Sequence, residues 1–299
     1  MFPSDFEYER ASTVEEALSY MAEHEDKETE LLAGGHSLLP TLKTGLANPD
    51  VLIDIGNIDD LSGISVDDDT ISIGAMTRYS TVEDADKVRE GNPIVAKTTH
   101  HIGDRQVRNR GTIGGNLAHA DPASDLAGAF LATGGTAVAQ SQDGTREIPA
   151  EDYFLGMYAT ALESDELLVQ VDLPAVDSNT VGAYAKKPNP ASGYPVIGIA
   201  AELQTDGERI QSAAVAANNL MDHPVRLTPT EEALTGQSVT DVSIEDASAV
   251  ATDDLDEMMI MQDLEATPEY RAQLARAYTE RALEQCMDEL DAATPQAAD

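Results

Sequence analysis

Cysteine occurs once in this 299-residue chain, at Cys286, tryptophan is missing, and phenylalanine appears four times. A single thiol excludes an internal disulfide. It also excludes an iron–sulfur cluster or a thiolate zinc site built from this chain alone. No apolar run approaches the roughly 20 residues that a membrane-spanning helix needs. The opening residues, MFPSDFEYER, are acidic and have no apolar core, so no signal peptide is expected there. The expectation is a soluble cytoplasmic protein with no membrane span.

Positive charge is the other scarcity. Eighteen Lys and Arg stand against 55 Asp and Glu, a formal net charge of −37. Such a surface repels nucleic-acid phosphates and anionic lipid, which argues against both as partners. Acid-rich chains poor in aromatics are often disordered. Here apolar periodicity persists along the whole chain, and a hydrophobic content of 41% suffices for real cores. An even spread of acids with only six lysines predicts a halophilic protein. Concentrated salt shortens the Debye length and screens self-repulsion that dilute buffer leaves in place.

The pattern of elements is α+β. An extended start carries Phe6 and Tyr8, and STVEEALSYMAEH reads as a helix opened by a Ser12–Glu15 capping box. A very short apolar strand ending in Leu32, a glycine turn and a brief helix to Gly45 follow, then the strand VLIDIG at 51–56. Residues 63–75 read as a hairpin around an acidic turn, followed by helices near 80–90 and 93–102. SDLAGAFLATGG is a glycine-closed helix, TAVAQSQDGTREIP a second hairpin, and ELLVQVDLP at 166–174 an exiting strand. Residues 175–182 read as a linker. Beyond it, strands alternate with helices up to a long helix with Thr267 as N-cap and Pro268 at its first position. Its apolar positions are 270, 274, 278, 283, 287 and 290. Met258, Met259 and Met261 are expected to pack in a helix. Residues 292–299 read as a frayed tail.

Two glycine loops carry the chemistry. In LLAGGHSLLP, Gly34-Gly35 lies between strand and helix. Glycine admits positive φ and close approach, so successive N–H groups can converge on an anion, with the Ser37 hydroxyl and the helix start beside them. A plain strand-to-helix turn that happens to hold glycines explains this loop alone equally well. In GTIGGNLAHADPASD, Gly114-Gly115 is flanked by Thr112 and Asn116, short polar side chains able to reach phosphate or ribose oxygens. Asp125 begins a helix, either as a dipole partner or as an acceptor for a sugar hydroxyl. Neither loop is the G-x-G-x-x-G of a dinucleotide-binding βαβ unit. Of only 12 arginines, Arg105, Arg108 and Arg110 fall within six residues before the second loop. Lys43 follows the first, and Lys186-Lys187 form another basic island. In so acidic a chain this placement tilts the reading toward a diphosphate site, although surface ion pairs claim some of these bases.

Weaker candidates surround these. His119 with Asp121 has the composition of an acid/base pair, but one His beside one Asp in a loop is more often structural. His36 has no visible partner for catalysis. His100-His101 lacks the spacing of a metal site, and no metal-ligand set or nucleophile–base set is visible elsewhere. Tyr194 reads either as a ring lying against a flat cofactor or as a core residue.

AGGHSLLP together with RNRGTIGGNLAHADPASD resembles the FAD-binding medium subunit of the molybdenum hydroxylases, the carbon monoxide dehydrogenase and xanthine dehydrogenase family. The likeness runs from FEYERASTVEEAL through both loops and ELLVQVDLP to EYRAQLARAYTERAL. It implies a two-lobed FAD-binding domain of the PCMH, or vanillyl-alcohol-oxidase, type over 1–176, with lobes of about 1–56 and 57–176. A C-terminal α+β domain over 180–291 would follow. By similarity, Leu32, Ala33, Gly34, Gly35, His36, Ser37 and Leu38 would hold FAD together with Thr112, Ile113, Gly114, Gly115 and Asn116. Asp125 would reach toward its ribose and adenine half, Leu168 would pack on it, and Lys186 would lie near the flavin. Ile102 falls at an apolar contact position, and Tyr194 joins the same set.

Relatives commonly follow Tyr-x-Lys with an arginine and an aspartate, whereas YAKKPNPASGYP places Pro190 and Gly193 there. The resemblance implies an oxidoreductase subunit whose flavin carries the chemistry. Electrons would come from the [2Fe–2S] small subunit and molybdopterin large subunit of one complex and leave to NAD, a quinone or oxygen. Two other functions compete with this one. The first is a self-sufficient flavin oxidoreductase on the same fold, such as an enolpyruvyl reductase or alcohol oxidase. The second is a nucleotide-binding regulatory module without catalysis.

Overall fold

The computed structural model describes residues 2–293, so all but the first two residues of the expected 292–299 tail lie outside the described residues. Mixed helix and strand are arranged around three cores. The first is built on a parallel three-stranded sheet of β1 (Glu7–Arg10), β2 (Thr29–Leu32) and β3 (Val51–Asp54), with β3 in the middle. Parallel strands need crossovers, and the helices Val14–Glu23 and Leu38–Thr44 supply them. Val51 and Ile53 on β3 bury against Val14, Ala17 and Leu18 of the first helix. The N-cap of that helix is one residue later than expected. Thr13 accepts from the Glu16 amide at 3.1 Å, and Glu16 reaches back to the Ser12 amide at 2.7 Å. The motif S/T-x-x-E occurs in two overlapping frames here, and the frame that buries Val14 and Ala17 is the one used.

The second core lies under an antiparallel sheet. Its strands are β4 (Ile64–Asp67), β5 (Thr70–Gly74), β6 (Thr136–Ser141) and β7 (Gly144–Pro149), with β8 (Phe154–Gly156) and β9 (Ala159–Thr160) as a separate small hairpin. β10 (Leu167–Pro174) runs up the centre between β5 and β6. Leu167 joins the first core and Leu168 the second, so this strand ties the two together. The stretch near 80–90 is two helices, Tyr79–Asp84 and Asp86–Gly91, broken where Ala85 turns extended.

The third core belongs to a C-terminal sheet of β11 (Thr180–Pro188), β12 (Pro195–Thr205), β13 (Ile210–Asn218) and β14 (Val225–Arg226). The linker therefore ends at 179 rather than 182, because Thr180 already pairs with Gln204. Alternation sorts the faces. Ile197, Ile199, Ala201 and Leu203 pack against the long helix Pro268–Ala293. Tyr184, Ala200 and Ala216 on the other face join the second core, so the C-terminal sheet and the helices Pro93–His100 and Asp125–Ala132 share one interior. The long helix buries Leu274, Ala275, Tyr278, Ala282, Leu283 and Cys286, and Tyr270 faces out. Arg271 on that helix is fully buried. Its guanidinium donates to the carbonyls of Met261, Val196 and Asn219 and pairs with Asp263 at 2.6 Å. Met258 and Met259 do not pack. They sit in a 3-10 turn, Glu257–Met259, and are exposed, while Ile260 takes the buried position. No described helix is long and apolar enough to cross a membrane.

Candidate functional site

β2 ends at Leu32 and the chain turns through Ala33 to Ser37 into the helix Leu38–Thr44. Gly35 has φ +78, the left-handed region that glycine enters without strain. Gly34 lies against the second loop. A Cβ there would collide with the Arg110 carbonyl oxygen and stand 2.9 Å from the Gly111 Cα. Facing it, a Cβ on Gly115 would stand 3.1 Å from the Ala33 Cβ. The two loops, some 80 positions apart in sequence, therefore form one seam between the elements of the first core and those of the second.

Their backbone chemistry differs. In the second loop the four amides from Ile113 to Asn116 are engaged. Ile113 donates to the Thr77 carbonyl at 3.0 Å, Gly114 to Ala75 at 2.8 Å, and Asn116 to Thr112 at 3.1 Å. The Gly115 amide donates to the Thr112 hydroxyl at 3.2 Å, which caps the helix Ile113–His119. The Asn116 side chain donates to the Tyr79 hydroxyl at 2.9 Å and accepts from Ser124. A Cβ on Gly114 would meet Ala75, so glycine serves close packing there. In the first loop the amides of Gly34, Gly35, His36, Ser37 and Leu38 find no acceptor among the described residues. Five consecutive donors of this kind are the makings of an anion cradle. A phosphate-bearing cofactor fits the first loop through its amides. The second loop contributes shape.

A third piece comes from the C-terminal domain. The loop between β11 and β12 is folded on Asn189, whose amide takes the Tyr194 carbonyl at 2.7 Å and whose side chain accepts from the Ala191 amide at 2.8 Å. It carries Tyr194, half exposed, to the seam. Burial is the main reason that phenol is held above its ordinary range; Asp121 adds to the shift, and a hydrogen bond with Ser37 opposes it. Pro190 and Gly193, the departure from the family pattern, build this loop, with Gly193 at φ +77.

Behind Tyr194 lies a buried polar knot. The Lys186 ammonium is 2.9 Å from an Asp125 oxygen, with side-chain exposures of 7% and 5%. Lys186 also donates to the carbonyls of His101 at 2.6 Å and Gly193 at 3.0 Å. The Tyr184 hydroxyl donates to Asp125 at 2.6 Å. Asn218 donates to the Asp125 carbonyl at 2.9 Å and accepts from the Gly128 amide at 2.6 Å. Burial pushes the Asp125 carboxyl up, and Lys186 and Tyr184 pull it back. Asp125 and Lys186 are thus brought to each other. Burial, with Lys186 next, lowers the pKa of the His101 imidazole.

Ile102 is buried in the second core, and Arg108 braces its carbonyl at 3.1 Å while pairing with Glu83 at 2.7 Å. Leu168 is buried in the same core. Arg105, Arg110, Lys43 and Lys187 make no ion pair with a described residue. His36 is exposed on the first loop. Asp121 closes a turn on the Ala123 amide at 2.9 Å, and the His119 ring lies 5.1 Å from that of Tyr158. They make no bond to each other, so no acid/base pair forms there. Sequence reasoning missed the Tyr184–Asp125–Asn218 knot. No local motif signals contacts made across 59 and 93 positions.

Residues 4–176 match the family described as the FAD binding domain in molybdopterin dehydrogenase, and 182–286 match the carbon monoxide dehydrogenase flavoprotein C-terminal domain. The chain belongs to the FAD-binding medium subunits of the molybdenum hydroxylases. The carbon monoxide dehydrogenase medium chain of Hydrogenophaga pseudoflava is 33% identical over 283 residues, 95% of this chain and 97% of the relative. The glyceraldehyde dehydrogenase medium chain of Sulfolobus acidocaldarius is 31% identical over 285 residues, covering 95% and 99%. The solved Hydrogenophaga pseudoflava carbon monoxide dehydrogenase superposes with a TM-score of 0.91 at 33% identity, over 96% of this chain and 99% of that one. Like its relatives, this medium subunit is part of an oxidoreductase with FAD as cofactor, and its fold is theirs from the first sheet to the last helix.

Proposed function

We propose that this medium subunit holds the FAD diphosphate on the first glycine loop and relays electrons. They come from the [2Fe–2S] centres of a small subunit, fed by a molybdopterin large subunit, and go to an external acceptor: NAD, a quinone or oxygen. The observation that carries the reading is the run of unpartnered amides from Gly34 to Leu38, set beside a seam too tight for side chains. The single cysteine is buried with its thiol on the Ala201 carbonyl, so clusters would have to reside on another chain.

The chain's own residues have distinct tasks. The amides and the Ser37 hydroxyl bind the diphosphate, and the Gly34–Arg110 contact fixes the gap between lobes. The Tyr194 ring covers one side of the site from the C-terminal domain. The Asp125–Lys186 knot holds the loop bearing Tyr194 through the Gly193 carbonyl. FAD supplies, when bound, a redox centre that accepts electrons singly or in pairs.

His36→Asp tests the cradle. The residue is exposed, so the variant is expected to fold while its carboxylate repels the diphosphate. Flavin per chain, read from visible absorbance, should fall at least tenfold; normal retention would overturn the loop assignment. Purification of the native complex tests the relay. Iron- and molybdenum-bearing chains should accompany the subunit. A lone chain that turns over an organic substrate with FAD would favour the self-sufficient oxidoreductase instead.

A further inference from the structure

Glu7 and Glu9 sit at alternate positions of β1 and therefore point to the same side of the strand. His24 is the C-cap of the helix Val14–Glu23 that covers that sheet. One carboxylate oxygen from each glutamate and one ring nitrogen of His24 lie within 4.8 Å of one another. A second observation bears on the same place. His24 is only 9% exposed, and its Nε2 is buried without a hydrogen-bond partner among the described residues. A buried ring nitrogen with no partner carries a standing desolvation cost, and a fold retains one where something else pairs with it. Neither glutamate supplies that pairing, since His24 makes no ion pair or side-chain hydrogen bond with either.

We infer that Glu7, Glu9 and His24 form a site for a divalent transition cation of the zinc class. One imidazole and two carboxylates are a borderline donor set. It suits zinc and its neighbours, whereas magnesium and calcium prefer oxygen alone. Bonds of about 2.0–2.2 Å place tetrahedral ligand atoms roughly 3.3–3.6 Å apart, so the three must close by about an ångström. The glutamates lie on an edge strand, Glu7 exposed and Glu9 half-buried, and can make that adjustment by rotamer. Lys27 holds one Glu7 oxygen at 2.8 Å and leaves the other for the metal, with water completing the shell. β1 and β2 occupy opposite edges of the sheet, so the site is separate from the glycine loop that follows β2. A bound ion would pin the helix end to the edge strand and stabilise the first lobe without touching the cofactor.

The test titrates zinc chloride calorimetrically into the full-length, FAD-loaded chain in molar potassium chloride, which screens weak binding to the acidic surface. One equivalent per chain is expected, with cobalt at the same site giving the visible absorption of a four-coordinate centre. His24→Gln and, separately, Glu9→Gln should each weaken binding about tenfold or more, with flavin content unchanged. The absence of stoichiometric binding overturns the proposal. So does equal binding by wild type and both variants, which would mark general adsorption to carboxylates. Should His24→Gln fail to fold, Glu9→Gln on the strand edge decides the matter.

Discussion

Asp125 and Lys186, 61 positions apart, form a buried ion pair with 2.9 Å between ammonium and carboxylate, joining the FAD-side helix Asp125–Ala132 to the C-terminal sheet. Buried pairs add little over an apolar pair, but removing one partner leaves an uncompensated charge inside. Asp125→Asn should therefore destabilise the protein by about 3–5 kcal/mol. The double change Asp125→Asn with Lys186→Met should recover much of that loss. Denaturant unfolding of wild type, Asp125→Asn, Lys186→Met and the double variant checks both, and additive losses would show that the pair is not coupled.

Gly34→Ala should open the seam between the two glycine loops, where the proposed diphosphate site lies. Its Cβ would collide with the Arg110 carbonyl, which is backbone and cannot swing away. The expected outcome is a folded protein, destabilised by about 1–3 kcal/mol, with flavin retention lost. Flavin absorbance after gel filtration measures it. Gly35→Asp should also lose flavin, because it adds a charge and places a non-glycine residue at φ +78.

Glu202 gives a pH dependence of known sign. It lies on the face of β12 shared with Ala200, and its Oε2 has no hydrogen-bond partner among the described residues. Burial raises its pKa from 4.5 to about 7, opposed by Arg226. Below the unfolded value both states hold the proton. Between the two values only the folded state does, so stability falls as pH rises from about 4.5 to about 7. Glu202→Gln should match wild type at the acid end and exceed it by about 1–3 kcal/mol above the window. Melting temperatures across this range test it, and a constant offset at all pH values would reject the assignment.

Ionic strength should matter as the composition predicts. With a net charge of −37, the unfolding midpoint should rise between dilute buffer and molar salt. An unchanged midpoint would show that the acids are already neutralised locally.

The parts legible in sequence are those that local patterns encode. The strand–glycine–helix order around Gly34 and the cap at Thr267 each follow from residues within a few positions. The different duties of the two glycine loops were not legible, because the engaged amides of Ile113 and Gly114 reach carbonyls at Thr77 and Ala75, nearly 40 positions earlier. Arg271 was hidden for the same reason. By helical spacing it shares the buried face of Leu274, Ala275, Tyr278 and Ala282, but its charge gives no sign of an inward role, and only the carbonyls of Val196, Asn219 and Met261, distant in sequence or on an irregular turn, explain a cation there.

That arginine has a consequence for the division of labour within the chain. It grips the carbonyl of Val196, two residues past Tyr194, so the long helix braces the strand that follows the aromatic ring. The C-terminal domain acts in this way as a jig. Its sheet, long helix and inward guanidinium fix the strand that begins one residue past the Tyr194 phenol, and Asn219, held by the same guanidinium, donates to the Pro195 carbonyl at 2.8 Å.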